Sequence, residues 1–467
     1  MPALTPPTTE LPQGTAMNTP PRARTAAPGF HPSRIALGVL LALGAAAGAQ
    51  AQSLVELYEA ARGYDATLLS ARAAYEASLA RAEQARAGLR PQAGLSAGAN
   101  WNNRNSAVNA LDSTFNSQNV TLSASQPLYR PANVAADQQG QLSIEIAQAQ
   151  LESAEQDLIV RTTQAYFDVL AAQDTLTFVQ AQKKAVSEQL AAAKRNFEVG
   201  TATVTDSREA QARFDLVLAQ EIAAENDLRV KKLALDQLVG RTGTSPLPLA
   251  APVALPTPAP TDPQVWVSPA ESGHPAVRQA LKALEIAQLE TKKAEAGHQP
   301  TLDLVGQYQV ARAPSSSTAI AGYVRNNTAT VGLQFNLPLY AGGAIQNRVK
   351  ETLALEDKAR SDLEAAKRGV SQATRSAYFG VLSGLSQVKA LEAAEASSQS
   401  ALEANQLGYQ VGVRINIDVL NAQSQLFQTK RDLSVARYNV LIGGLRLKQA
   451  SGQLKAEDLK TVAPLRR

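Results

Sequence analysis

The chain has 467 residues, enough for several ordinary domains, but its 45% hydrophobic content includes only 5% aromatics, which points to thin Ala/Leu/Val helices rather than a thick globular core. Its formal charge of +4 includes Arg22, Arg24 and Arg34 against Glu10 near the start, so the remainder is nearly neutral and no nucleic-acid partner is implied. The absence of cysteine excludes disulfides, thiol catalysis, cysteine-ligated zinc and an acylated lipoprotein cysteine, and His31, His274 and His298 are the only imidazoles.

Arg34 precedes an apolar run, Ile35 to Gly48, and then the small-residue site Ala49-Gln50-Ala51. Residues 1–51 are therefore expected to be a secretory signal peptide, with Met17 a candidate start because the residues before it are rich in Pro and Thr.

The mature chain is written twice. The first copy (residues 52–245) opens with a helical stretch, Ser53 to Leu89, stopped by Arg90-Pro91; the second (273–452) opens at His274-Pro275 and stops at Gln299-Pro300. After each stop the hydrophobic period changes from helical to alternating. Strands are expected at about 93–102 and 118–126, and again at about 301–310 and 328–336, with polar loops Asn102 to Ser117 and Ala311 to Asn327 facing the cell exterior. Leu95, Trp101, Leu122, Leu304, Tyr308 and Phe335 fall on the apolar faces, Asn100, Asp303, Gln307 and Gln334 on the polar ones. Both hairpins leave through the same words, Gln126-Pro127-Leu128-Tyr129 and Leu337-Pro338-Leu339-Tyr340, where proline should end the ladder.

From about Asn133 to Val199 there is no proline and Gly140 is the only interior glycine, so one uninterrupted helix on the order of 100 Å is expected. Leu176, Val179, Val186, Leu190, Ala193 and Phe197 make a coiled-coil seam that Lys183 interrupts, and Leu426, Leu433, Val440, Leu447 and Leu454 repeat every seventh residue on the return helix. The phrases Phe197-Glu198-Val199-Gly200 and Tyr409-Gln410-Val411-Gly412 end the outward helices, and each return helix restarts near an acid, Asp206 or Asp418, for which helix capping is the plainest role. Gly200 and Gly412 are the hairpin-tip turns. Residues 246–272 form a Pro-rich linker between copies and 453–467 a solvated tail.

No phosphate loop, metal-spaced cluster or nucleophile elbow is present, so neither a catalytic site nor a cofactor is expected. Four amphipathic strands of membrane length cannot close a barrel, because an open edge in lipid leaves backbone groups unpaired; a homotrimer would supply twelve strands. Threefold symmetry would also gather three Asp418 carboxylates around one axis, a constriction that favours cations.

The duplicated order, with Tyr409-Gln410-Val411-Gly412, Asp418-Val419-Leu420 and Ala436-Arg437-Tyr438-Asn439, resembles the TolC family of outer-membrane channels over about residues 53 to 460. The resemblance implies a mostly α fold with a small membrane β part: a trimeric twelve-stranded β-barrel continued by a periplasmic α-helical coiled-coil tunnel. It further implies a periplasmic adaptor and an inner-membrane efflux pump or ABC-type secretion transporter as partners, and an exit duct in the cell outer membrane. By residue match, Asp418 and Asn421 sit at the periplasmic constriction, where Asn421 replaces the acid of the family pattern, and Tyr409, Arg414 and Asp206, with Thr205 beside them, form an inter-hairpin latch. The competing reading is a periplasmic adaptor, which shares antiparallel coiled coils but lacks paired membrane-length hairpins.

Overall fold

The computed structural model describes residues 52–104, 113–249, 255–314 and 322–462. The expected signal peptide lies outside them, as do residues 105–112 and 315–321 of the two expected outer loops.

The first helical stretch is two helices. Asp65 breaks it into α1 (Leu54–Tyr64) and α2 (Ala66–Ala87): its Oδ1 accepts the Leu68 N–H at 2.9 Å, and the bidentate guanidinium of Arg161 holds both of its oxygens at 3.0 Å. Strands β1 (Gln92–Arg104) and β2 (Ser113–Tyr129) follow, then α3 (Pro131–Glu198), whose 68 residues rise about 100 Å. Helix α4 (Val204–Val239) returns from the tip.

The second copy repeats this plan with α5 (Pro263–Gly273), α6 (Pro275–Glu295), β3 (Thr301–Pro314), β4 (Tyr323–Asn336), α7 (Ala344–Gln410) and α8 (Asn416–Ala450). Part of the inter-repeat segment is thus helical rather than extended. His274 takes the place of Asp65 as the cap between its two short helices: its Nδ1 accepts the Ala276 N–H at 3.1 Å, and burial lowers its pKa, consistent with a neutral ring.

The Arg161 guanidinium, assisted by the Leu68 N–H and opposed by burial, holds the Asp65 carboxyl below its ordinary value of 3.8. A carboxylate with a depressed native pKa stabilises fully above its unfolded value and loses that contribution as pH falls through the native one. Asp65→Asn should therefore cost about 1–2 kcal/mol at neutral pH. Thermal unfolding followed from pH 7 to pH 3 is expected to show the gap to wild type constant down to about pH 5 and shrinking below about pH 4; a gap independent of pH throughout would show that the charge contributes nothing.

Near the barrel, α2, α3, α6 and α7 lie side by side; toward the tips, α4 packs on α3 and α8 on both α7 and α3. The two long helices run the whole length, and the shorter ones complete the wall above and below. The main core lies between these levels, where Leu57, Leu68, Leu158, Phe167, Leu235 and Leu445 meet. Tyr166 donates its hydroxyl to the Leu247 carbonyl at 2.6 Å, and the Phe167 ring stacks on Tyr438 at 5.3 Å. The matching pair of the second copy diverges: Tyr378 is buried and Phe379 is exposed.

The C-terminal segment is not a solvated tail. Leu454, Leu459 and Val462 are buried, the last two on a short helix α9 (Leu459–Val462), because they cover apolar surface that the ends of α1 and α8 leave open; residues 463–467 lie outside the described set. The seam on α3 holds at Val179, Val186, Leu190 and Ala193, but Phe197 is exposed. Lys183 interrupts it to pair with the largely buried Glu221 of α4.

The sheet is four-stranded and antiparallel in the order β1-β2-β3-β4, two hairpins whose inner strands, β2 and β3, pair across the intervening helices. Its strands run further than the pattern indicated, to Arg104 and Pro314 on the way out and from Ser113 and Tyr323 on the way back, so about half of each expected loop is ladder. Pro127 does not end β2 either: a register shift between Pro127 and Tyr129 absorbs the missing N–H, and pairing with β3 resumes at Tyr129 and Leu302.

Candidate functional site

Two regions carry the chemistry of passage, the sheet and the hairpin tips. In the sheet, Leu95, Leu122 and Tyr308 are consecutive partners across the ladder, as are Leu304 and Leu333, so the apolar residues of all four strands share one face. They are exposed in the single chain: Leu95 is 73% and Leu122 52% accessible. The opposite face is concave, and its groove is lined by Gly94, Ser123, Ser125, Gln307, Thr330 and Gln334, small or uncharged polar residues suited to a wet lumen. Asp303 belongs to this face by register but is buried, clamped by Arg130 Nε at 2.8 Å and Nη2 at 2.6 Å. It therefore joins β3 to the N-cap of α3 at the base of the sheet and does not present a free charge on the polar face.

At the tips, each outward helix ends in the same turn. Gly200 and Gly412 both have φ of 78°, a left-handed conformation that disfavours a side chain. The next residues, Thr201 and Val413, donate back to the carbonyls of Asn196 and Gly408 at 2.8 Å, so the ends of α3 and α7 are closed by Schellman turns.

The return helices differ. Thr203, not an Asp, caps α4, and Asp206 at the third position completes a capping box by accepting from the Thr203 N–H at 2.9 Å. Helix α8 starts after Ile415 with no side-chain cap, which leaves the equivalent Asp418 to face Arg414 at 3.6 Å. One acid is consumed locally and the other is available.

Of the residues matched to a latch, Tyr409 accepts from Asn196 Nδ2 at 3.4 Å, tying α7 to α3. Asp206 contributes its backbone carbonyl; among the described residues Arg414 meets only Asp418 as a charged group, and Thr205 is exposed with no bonded partner. Asn421 accepts from Arg213 Nη2 at 2.7 Å, which brings a guanidinium of α4 beside the constriction position.

The residue that sequence reasoning missed is Asn416. It is fully buried, accepts a hydrogen bond from Gln189 of α3 and donates to the Asp206 carbonyl of α4 at 3.4 Å. A signal existed: stepping back from Leu426 by threes and fours reaches Gln423, Val419 and Asn416, so polar residues occupy two seam positions, where they can fix register. Its counterpart at the same step in the first copy, Val204, is exposed.

Among the described residues no helix is long and apolar enough to cross a membrane, and no group of His, Asp and Glu is placed to hold a metal. Residues 57–241 and 266–453 match the family described as Outer membrane efflux protein. The chain belongs to that family.

Outer membrane protein TolC of Escherichia coli (strain K12) is 33% identical over 419 residues, 88% of this chain and 84% of that protein. Proteases secretion protein PrtF of Dickeya chrysanthemi is 30% identical over 445 residues, covering 92% and 94%. The solved outer membrane protein VceC of Vibrio cholerae shares the fold with a TM-score of 0.72 at 19% identity, covering 85% of this chain and 96% of that one. The CmeC outer membrane channel of Campylobacter jejuni does so with 0.74 at 18%, covering 88% and 89%. This efflux protein is an outer-membrane exit duct of the TolC family, serving efflux or type I secretion, with its helical tunnel in the periplasm. The adaptor reading finds no support, and the family consists of channels rather than enzymes.

Proposed function

We propose that three copies of the chain, exported by means of the signal peptide in residues 1–51, close β4 of one against β1 of the next into a twelve-stranded barrel over a twelve-helix tunnel. The observation that carries this reading is the open sheet: β1 and β4 each have one neighbour, yet the sheet has a continuous apolar face that only lipid would cover. In an antiparallel sheet of even strand number, β4 and the next β1 run antiparallel, so the ladder continues without a change of pattern.

Solute moves by passage and not by reaction, so the chain itself is no enzyme and needs no cofactor. Energy and cargo come from an inner-membrane pump or ABC-type transporter through a periplasmic adaptor, in keeping with relatives named for protease secretion. The tips form the periplasmic gate, with Tyr409 and Arg414 among its contacts and Asp418 its selecting charge. Arg414 offsets part of that charge, and the ion pair is exposed enough to be worth less than about 1 kcal/mol. Asn421 and its Arg213 partner supply no second acidic ring, so cation preference is modest.

Single-channel recording of the purified full-length protein in planar bilayers tests both levels. A duct conducts as a heat-stable oligomer; absence of conductance, or a monomer that carbonate extracts, would remove the barrel. Asp418→Asn is expected to abolish cation preference with unchanged thermal stability, and Arg414→Ser to strengthen it by about two- to threefold. Selectivity identical to wild type in Asp418→Asn would place the selecting charge elsewhere.

A further inference from the structure

Two arginines stand directly opposite one another at the outer end of the second hairpin. Arg312 on β3 and Arg325 on β4 are register partners, in phase with Leu304, Tyr308, Val331 and Phe335, and hence on the lipid-facing side. Both are exposed, and among the described residues neither makes a salt bridge. Like charges facing each other across a ladder are destabilising, so the arrangement favours an anion between them.

Their height places them. Leu302 pairs with Phe335, and both arginines lie ten residues along the strands from that pair. At about 3.4 Å per residue and a tilt of about 40°, ten residues rise about 26 Å, the thickness of the apolar band of an outer-membrane barrel. Trp101 and Tyr323, both exposed and on the same face, lie one same-face step further out as an aromatic girdle. The Arg312 guanidinium lies 5.4 Å over the Tyr323 ring, and the Tyr323 hydroxyl accepts the Asn116 N–H of β2 at 3.2 Å, so the ring that orients Arg312 is itself anchored. Two guanidinium forks at headgroup depth, one of them oriented by the Tyr323 ring, can match the bidentate geometry of a phosphate.

We propose that Arg312 and Arg325 bind the phosphate of an outer-leaflet lipid headgroup, one site per chain. The pair neutralises the phosphate charge, Tyr323 orients the site, and the acyl chains lie along the Leu122, Tyr308 and Val331 face below it.

The full-length protein, purified in dodecyl maltoside micelles doped with diphosphoryl lipid A, is examined by native mass spectrometry. Wild type is expected to retain the lipid, Arg312→Gln with Arg325→Gln to retain about tenfold less, and Arg312→Lys with Arg325→Lys to fall between, because lysine keeps the charge but loses the fork. Both double variants should assemble normally, since these side chains are exposed and, among the described residues, have no ion-pair partner to lose. Equal retention by the glutamine variant, or equal retention of dephosphorylated lipid A by wild type, would overturn the proposal. Displacement of the lipid by millimolar inorganic phosphate would identify the free anion as the ligand and overturn the lipid assignment; persistence of the lipid supports it.

Discussion

Leu122→Lys is expected to remove most of the assembled, heat-stable protein from the outer membrane, at a cost of about 2–4 kcal/mol per chain, while Gln307→Lys leaves assembly unchanged. The two positions are close in space but face opposite sides of the sheet. Leu122 lies between Leu95 and Tyr308 on the apolar face, and Gln307 between Ser123 and Thr330 on the polar one. Three ladder steps separate the Leu122 row from the Phe335 row, a rise of about 16 Å, which sets Leu122 near the middle of the bilayer where an ammonium can least reach water. Leu304, one step from the same end, should tolerate lysine at a cost of about 0–1 kcal/mol, because its side chain can snorkel to the interface. Quantifying heat-stable oligomer in outer-membrane fractions measures all three. Comparable loss in Leu122→Lys and Gln307→Lys would mean that the faces are wrongly assigned.

Asn416→Ala should loosen the gate more than any change to the charged residues around it. The substitution leaves the Gln189 amide and the Asp206 carbonyl without their buried partner, which costs about 1–3 kcal/mol, and it opens a cavity where α8 meets α3 and α4. The remaining ties between the two hairpins at this level, Arg213 with Asn421 and Asn196 with Tyr409, are exposed or at the long end of hydrogen-bond distance. Closed-state conductance in planar bilayers is therefore expected to rise several-fold, by roughly the factor of 5–30 that 1–2 kcal/mol represents. Wild-type conductance in Asn416→Ala would exclude this residue from the gate.

Arg414 and Thr205 show why a matched position is not yet a contact. Among the described residues of the single chain, Arg414 pairs only with Asp418 on the helix that follows it, and Thr205 is exposed, so any latch they form needs the neighbouring copy. Asp206 illustrates the converse: its side chain is committed to the Thr203 cap, and what it offers the other hairpin is a backbone carbonyl, which no residue identity encodes.

The sequence by itself determined what repeats and what alternates. Duplication set the order of elements, period two set which strand residues share a face, uninterrupted Ala-rich helix set the tunnel's length, and glycine at the tips set the left-handed turns, because each of these depends on neighbours within a few residues. Tertiary structure alone decided where local pattern is silent. Asp65 breaks a helix because Arg161, distant in sequence, meets it there; Asp303 leaves the lumen because Arg130 reaches it; Asn416 is buried because two other helices converge on it; and the turn at Leu459–Val462 is core because apolar surface beneath it was otherwise uncovered. In each case the partner comes from another element, and its energy depends on burial, which only the packed chain supplies.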